Sequence, residues 1–318
     1  MSLLRRILDR PEIADEPPVL IDVGASGDMH RDWAALAPYS VCVAFEPDER
    51  ERGAVERASS GYRKLTVYRA VLSDREQESA EFFLTRSPYC SSALAPLPVR
   101  LAPWSFHALF EVTGTQRFPA VTIERVLAEQ GLAHVDWFKS DSQGTDLRLF
   151  RSLGDERLRR VLAAQFEPGI LAAYQGEDTL ADLLAFMRER SFWLSELHVR
   201  GTRRLSARAR QALAPSARRR AERLIKVSPG WAEATYLNTL EGDWSVRDRL
   251  LGWVIATLRR QHGFALELAL RGVESSADPI FEALRHASAA SIARSAWTMP
   301  AIAALRRLRS FAEARQWL

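Results

Sequence analysis

The sequence is poor in cysteine: Cys42 and Cys90 are the only two among 318 residues. Two thiols cannot build a disulfide framework or a four-thiolate zinc site. Long apolar runs are also missing. The best, Leu250 to Leu258, is interrupted by Gly252 and Thr257, well short of the roughly 18 residues that a membrane-crossing helix needs. The opening MSLLRRILDRPEIADEPP holds no apolar stretch of signal-sequence length, so a cytoplasmic protein without a transmembrane segment is expected. There is no internal repeat and no low-complexity tract. Charge of one sign is not in large excess either, as 44 Lys and Arg against 40 Asp and Glu leave +4. Whole-chain charge therefore gives no argument for a nucleic-acid partner. What is present is average globular material, 47% hydrophobic and 26% charged, which excludes general disorder. The basic residues are unevenly placed: ten fall between Arg200 and Lys226, against the single acid Glu222. Such a patch meets phosphates on nucleic acid or lipid, or forms the solvated face of a surface helix.

The first clear element is the apolar run Val19 to Val23, closed by Gly24-Ala25-Ser26-Gly27-Asp28 and followed by a helical pattern over Met29 to Leu36. A second run, Val41 to Phe45, ends in Glu46-Pro47-Asp48; a polar helix over Glu49 to Ser59 and a third run over Leu65 to Leu72 follow. This alternation predicts an α/β fold, a parallel sheet with crossover helices and first strands in the order 3-2-1. A strand over Ala80 to Leu84 comes next. Residues 86–120 hold five prolines and read as an irregular arm, either a binding loop or a structural wrap. Regular order returns with a helix over Thr122 to Gln130, a strand over Val135 to Ser140, a helix to Leu153 and a strand over Val161 to Phe166. An amphipathic helix spans Asp178 to Arg188, and strands over Glu196 to Arg200 and Ala234 to Thr239 flank an Arg-rich helical insertion, 201–230. The division predicted is a domain over 12–245 and a helical C-terminal extension over 246–318. In the extension Leu250, Leu251, Val254, Ile255 and Leu258 share one face, suited to docking on the same chain or a second subunit, or to peripheral membrane contact.

Gly24 directly follows a buried-type strand where the chain turns, and Gly27 leaves the next helix start uncrowded for a ligand. Asp22 is acidic within an apolar strand, and Glu46 closes the second strand, where nucleotide-binding folds place an acid against ribose hydroxyls. A dinucleotide would bring its pyrophosphate to Asp28, whereas S-adenosylmethionine brings an ammonium and a sulfonium, which suit Asp22 and Asp28. The pattern therefore favours S-adenosylmethionine over NAD.

The succession VLIDVGASGD, VAFEPD, AVLSD, VTIERVL and VDWFKSDSQGTDLRLF resembles the FkbM-type S-adenosylmethionine-dependent methyltransferases over roughly Val19 to Arg200. Lys139 to Gly144 is its most specific part. The resemblance implies a class I methyltransferase fold, a Rossmann-like and mostly parallel sheet with helices on both faces. It also implies O-methylation of a sugar, glycan or related natural product. It places Asp22, Gly24 and Gly27 at the methionine end of the cofactor, in the turn that includes Ala25 and Ser26. Glu46, next to Pro47, takes the ribose, and Ala70, Val71, Leu72 and Ser73 pass near the adenine. The family turn often reads G-A-N-x-G, where this chain has Ser26 and a loop one residue shorter. The Ser91-Ser92 pair is implied to come near the cofactor.

Methyl transfer needs a positioned acceptor oxygen and a base near its proton. Beyond the carboxyl ends of the strands, Asp141 and Glu167 are the catalytic candidates. Asp141 also counts among the cofactor residues, and its competing role is a helix N-cap. Gln143 is placed to orient a hydroxyl, and Gly144 to let the backbone approach. His107, in the arm, is the histidine best placed to reach a substrate, while His134 lies at the wrong end of its strand. Trp104, Phe106 and Phe110 offer an apolar wall or pack the arm. Two carboxylates are too few for a metal site, and none is assigned. The partners expected are a small-molecule or glycan acceptor, no nucleic acid, and a second copy of the chain through the C-terminal helices. An NAD-dependent sugar-modifying enzyme and a nucleic-acid methyltransferase using the Arg-rich insertion are the alternatives.

Overall fold

The computed structural model describes residues 2–25, 31–48, 50 and 61–294. Ser26, Gly27, Asp28, His30 and nearly all of the helix expected over Glu49 to Ser59 lie outside the described residues. The chain divides into two compact units, residues 14–241 and a second made of residues 1–13 with 242–318.

The larger unit is built on a seven-stranded sheet. Its strands are β1 (Val19–Val23), β2 (Val41–Phe45), β3 (Lys64–Tyr68), β7 (Trp137–Ser140), β8 (Ala163–Phe166), β9 (Phe192–Arg203) and β10 (Val227–Asn238). They lie in the order β3-β2-β1-β7-β8-β10-β9. All neighbours are parallel except those of β10, which runs antiparallel to β8 and β9. This is the mostly parallel α/β sheet expected, with the first three strands in the order 3-2-1. The central strands are largely apolar, as expected of a buried parallel sheet; Ile21, Val43, Phe138 and Ala164 are fully buried. The helix Ile123–Gln130 starts on the Thr122 hydroxyl, which caps the Arg125 amide, and ends at Gly131 in the left-handed region.

Three elements differ from expectation. The run Leu65 to Leu72 is two strands: β3 in the large sheet, then β4 (Val71–Ser73) in a separate three-stranded sheet. The ladder of β2 with β3 ends at Phe45 opposite Tyr68, with the Glu46 amide donating to the Tyr68 carbonyl (3.1 Å). The arm is more ordered than its prolines suggest. It holds the helix Pro98–Leu101 and an eleven-residue strand, β6 (Val112–Thr122), set between β4 and β5 (Ser79–Thr85). Pro119 is tolerated there because its nitrogen faces the β4 side one residue before that ladder begins at Ala120, while the Ala120 amide bonds the Glu78 carbonyl (3.1 Å). Over the described part of Met29 to Leu36 there is a short 3₁₀ turn, Arg31–Trp33, in place of the α-helix. The Arg-rich insertion forms two helices, Ala207–Ala212 and Pro215–Leu224, at the end of the long β9–β10 ribbon.

In the smaller unit the helix Val246–Leu258 is capped by Ser245 and followed by the helix His262–Ser275 and helical residues 280–294. The face carrying Leu250, Leu251, Val254 and Ile255 is buried within the chain, so it is not an exposed docking face. A Cβ on Gly272 would lie 2.0 Å from the Phe281 ring, which explains a glycine in mid-helix. Arg10 joins the unit's two chain segments by bonding both Glu12 (2.6 Å) and Asp278 (2.5 Å). No helix among the described residues is long and apolar enough to cross a membrane.

Candidate functional site

At the carboxyl ends of β1, β2 and β7 the sheet opens into a cleft. It is lined by Val23, Gly24, Glu46, Asp48, Asp141 and Gln143, with Phe45, Ala70, Val71, Leu72 and Phe82 as apolar walls. Gly24 is required by geometry. Its φ is +68°, and a Cβ there would lie 2.1 Å from the backbone oxygen of Asp141. The close approach is thus between two strand ends, where the Asp141 amide also donates to the Val23 carbonyl (2.9 Å). Glu46 is buried at the end of β2, and its Oε1 accepts from the Asp48 amide (2.7 Å). Asp48 in turn pairs with Arg50, whose guanidinium also donates to Ser91 Oγ (3.0 Å).

Of the sequence-predicted cofactor residues, Gly24, Glu46, Pro47, Ala70, Val71, Leu72 and Asp141 line this cleft. Ala25 is buried, Ser73 faces a separate depression, and Ser26 and Gly27 lie outside the described residues. Asp22 is also not in the lining. Adjacent strand residues point to opposite faces. While Val23 meets the cleft, the Asp22 carboxylate accepts from Lys139 Nζ at 2.6 Å, its register neighbour on β7. Asp22 therefore has its countercharge on the protein. The acids in the lining are Glu46, Asp48 and Asp141, and no Lys, Arg or His side chain joins them among the described residues. The described lining offers a pyrophosphate no cation, and Arg50 beside it is paired with Asp48. A ligand carrying positive charge and a flat apolar ring finds acids at one side and an apolar slot at the other.

A second cavity, of about 400 Å³, shares Tyr89, Asp141 and Gln143 with the cleft. Phe106, Phe110, Tyr174 and Trp231 form its aromatic wall. Phe106 stacks on Trp231 (centroids 6.3 Å, planes 10° apart) and meets Phe110 edge-on at 5.0 Å. Phe106 and Phe110 thus both pack the arm and line a cavity. Tyr174 and Trp231 were not legible as site residues, because Trp231 reaches the cavity only through the antiparallel return of β10. Ser91 lines the cleft, and Ser92 Oγ donates to the Gln143 carbonyl (2.7 Å). His107 is not in either lining; its Nδ1 lies 2.9 Å from the Trp104 carbonyl.

Between the two spaces stands a carboxylate pair. Glu167 hydrogen-bonds to Asp141, and burial, with the Asp141 charge beside it, pushes the Glu167 carboxyl up to about 9. Glu167 thus carries its proton at neutral pH. Gln143 Nε2 donates to Asp141 Oδ1 at 2.5 Å, and Gln143 Oε1 accepts from the Tyr174 hydroxyl at 3.1 Å. These bonds, with Ser92, hold Gln143 in the left-handed region (φ 58°), a conformation costing about 1–2 kcal/mol for a residue with a side chain. Asp141 is not a helix cap, since the helix Asp146–Arg151 begins after Thr145.

The residue that organises this loop is Asp146, buried in the first turn of that helix. One oxygen accepts from Ser140 Oγ (2.6 Å), the Ser142 amide (2.8 Å) and Ser142 Oγ (2.5 Å), and the other from the Glu167 amide (3.1 Å). Burial raises its carboxyl above the ordinary range, and these donors counter part of the rise. The available signal was an acid four residues after Ser142, within reach of a loop folding back over the helix start. Burial also pushes the Cys90 thiol up to about 11, away from reactive-thiolate behaviour.

The family model of the methyltransferase FkbM domain matches residues 22–194, more than half of the chain. No curated protein matches the chain.

Proposed function

Because the chain belongs to the FkbM methyltransferase family, we propose that it transfers a methyl group from S-adenosylmethionine to a hydroxyl oxygen of a sugar, glycan or related natural product. The observation that carries this reading is the shared wall: Asp141 and Gln143 face both an acid-lined cleft and an aromatic cavity. Glu46 would hold the ribose hydroxyls, and Val71, Leu72 and Phe82 would flank the adenine. When bound, S-adenosylmethionine supplies an electrophilic methyl group on a cationic sulfur.

The chain's own residues do the rest. Asp141 accepts the proton of the acceptor hydroxyl, a contribution of about 10²- to 10⁴-fold for a positioned base. Gln143 fixes the carboxylate's direction from one side, and protonated Glu167 donates to it from the other. The aromatic wall packs the apolar face of a ring and excludes water from the hydroxyl. The cavity lining contains Asp141, Glu167 and Glu177 and no Lys, Arg or His among the described residues. Desolvating a second anion beside these acids is costly. The part of the acceptor that enters is therefore neutral or cationic, and carboxylated or phosphorylated rings stay out.

The test is methyl transfer from labelled S-adenosylmethionine to a panel of neutral glycosides, amino sugars and uronates, with the parent protein and Asp141→Asn. Neutral or amino sugars accept label and uronates do not, and the variant loses about 10²- to 10⁴-fold in turnover, much more than it loses in donor affinity. Near-normal turnover in the variant removes Asp141 as the base.

A further inference from the structure

The cap on the β9–β10 ribbon is not used by either cavity, yet its net positive charge exceeds that of the whole chain. Residues 203–226 contain nine Arg or Lys and one acid, a net +8 in a chain of +4, so the remaining residues sum to −4. Some of these arginines serve the local structure. Arg203 Nε donates to the Ile225 carbonyl (3.1 Å), tying the second helix to the ribbon, and Arg218 Nε to the Leu213 carbonyl (2.8 Å), tying the two helices together. Others face solvent. On the helix Pro215–Leu224, Ala217 and Ala221 turn inward, while Arg219, Arg220 and Arg223 are exposed on the other side. Arg219 and Arg223 stand one turn apart, as do Arg220 and Leu224. Leu224 is 65% exposed and Val227, just beyond Lys226, is 46% exposed.

We propose that this cap docks the protein on an anionic phospholipid surface, with the arginines on the headgroup phosphates and Leu224 and Val227 in the acyl boundary. Leu224 among the arginines of a short helix, with Val227 following at the start of β10, suits an interface that is charged above and apolar below. A nucleic acid fits less well. Residues 203–226 contain no aromatic side chain for stacking on bases, and an exposed leucine gains nothing from a phosphate backbone. The same ribbon supplies Trp231 and Gly230 to the acceptor cavity, and Trp231 pairs in register with Arg200 near the base of the cap. Docking through the cap therefore brings the acceptor cavity toward the lipid surface. The proposal does not depend on which acceptor is methylated.

The test uses the full chain, sedimented with phosphatidylcholine vesicles with and without phosphatidylglycerol. The protein partitions onto the anionic vesicles alone and is released by salt at about 0.5 M, where screening reaches a few ångströms. The triple variant Arg219→Gln, Arg220→Gln, Arg223→Gln loses about tenfold or more of this partition with an unchanged thermal melt. Leu224→Ser weakens partition without changing its salt dependence. Failure of the parent protein to bind anionic vesicles at low salt overturns the proposal, and that result needs no variant. So does parent-like binding by a folded triple variant, or displacement of the protein from vesicles by a duplex or single-stranded oligonucleotide.

Discussion

Glu167 holds a proton at neutral pH for two reasons, its burial and the neighbouring Asp141 charge. The unfolded chain releases that proton near its ordinary value of 4.5, the folded chain near 9. The group's contribution to stability is therefore fully present below about 4.5, declines as pH rises, and levels off above about 9. Glu167→Gln keeps a donor toward Asp141 and has no proton to lose. Thermal melts across pH 5 to 9 are expected to show the variant gaining on the parent as pH rises, by at most about 1.4 kcal/mol per pH unit. Parallel curves would mean that the parent's carboxyl ionises as an ordinary glutamate. This pairing was only half legible. The two acids stood out in the sequence because each follows a strand end, but their contact depends on Asp146, which draws the loop and the Glu167 amide together. Asp22 misled for the opposite reason. An acid in an apolar strand suggests a ligand, and its partner Lys139 is 117 positions away on a strand whose register the sequence does not state.

At the level of the strands, β1 and β2 were readable to the residue, since β1 is an apolar run between Pro18 and Gly24 and β2 one between the polar Ser40 and Glu46. β6 was not, because Gly114 and Pro119 hide a strand whose valine, threonine and phenylalanine content is otherwise favourable. The division of β3 from β4 was hidden as well, since both pieces are apolar and only the end of the β2 ladder separates them. Gly24 was recognised as a turn glycine, and the structure adds the close approach to Asp141. Gly24→Ala must both adopt a positive φ and push the ends of β1 and β7 apart. Urea unfolding should show a loss of about 2 kcal/mol or more. A loss below about 0.5 kcal/mol would show that the junction tolerates a side chain.

Across the whole molecule, charge and architecture are divided among regions. Acids line the cleft and the cavity, the ribbon's cap carries the basic excess, and residues 2–13 and 242–294 share a separate helical unit. The joining of residues 1–13 with 242–318 had no signature in the sequence, because it rests on pairs such as Arg10 with Asp278. The expectation of a cationic donor over a dinucleotide rested on Asp22 and Asp28, whereas the acids lining the cleft among the described residues are Glu46, Asp48 and Asp141. Calorimetric titration of the purified protein with S-adenosylmethionine and with NADH tests that choice most directly. The account predicts saturable binding of S-adenosylmethionine, weakened by about 1–3 kcal/mol in Glu46→Ala through the lost charged hydrogen bond, and no binding of NADH. Saturable binding of NADH with none of S-adenosylmethionine would contradict it.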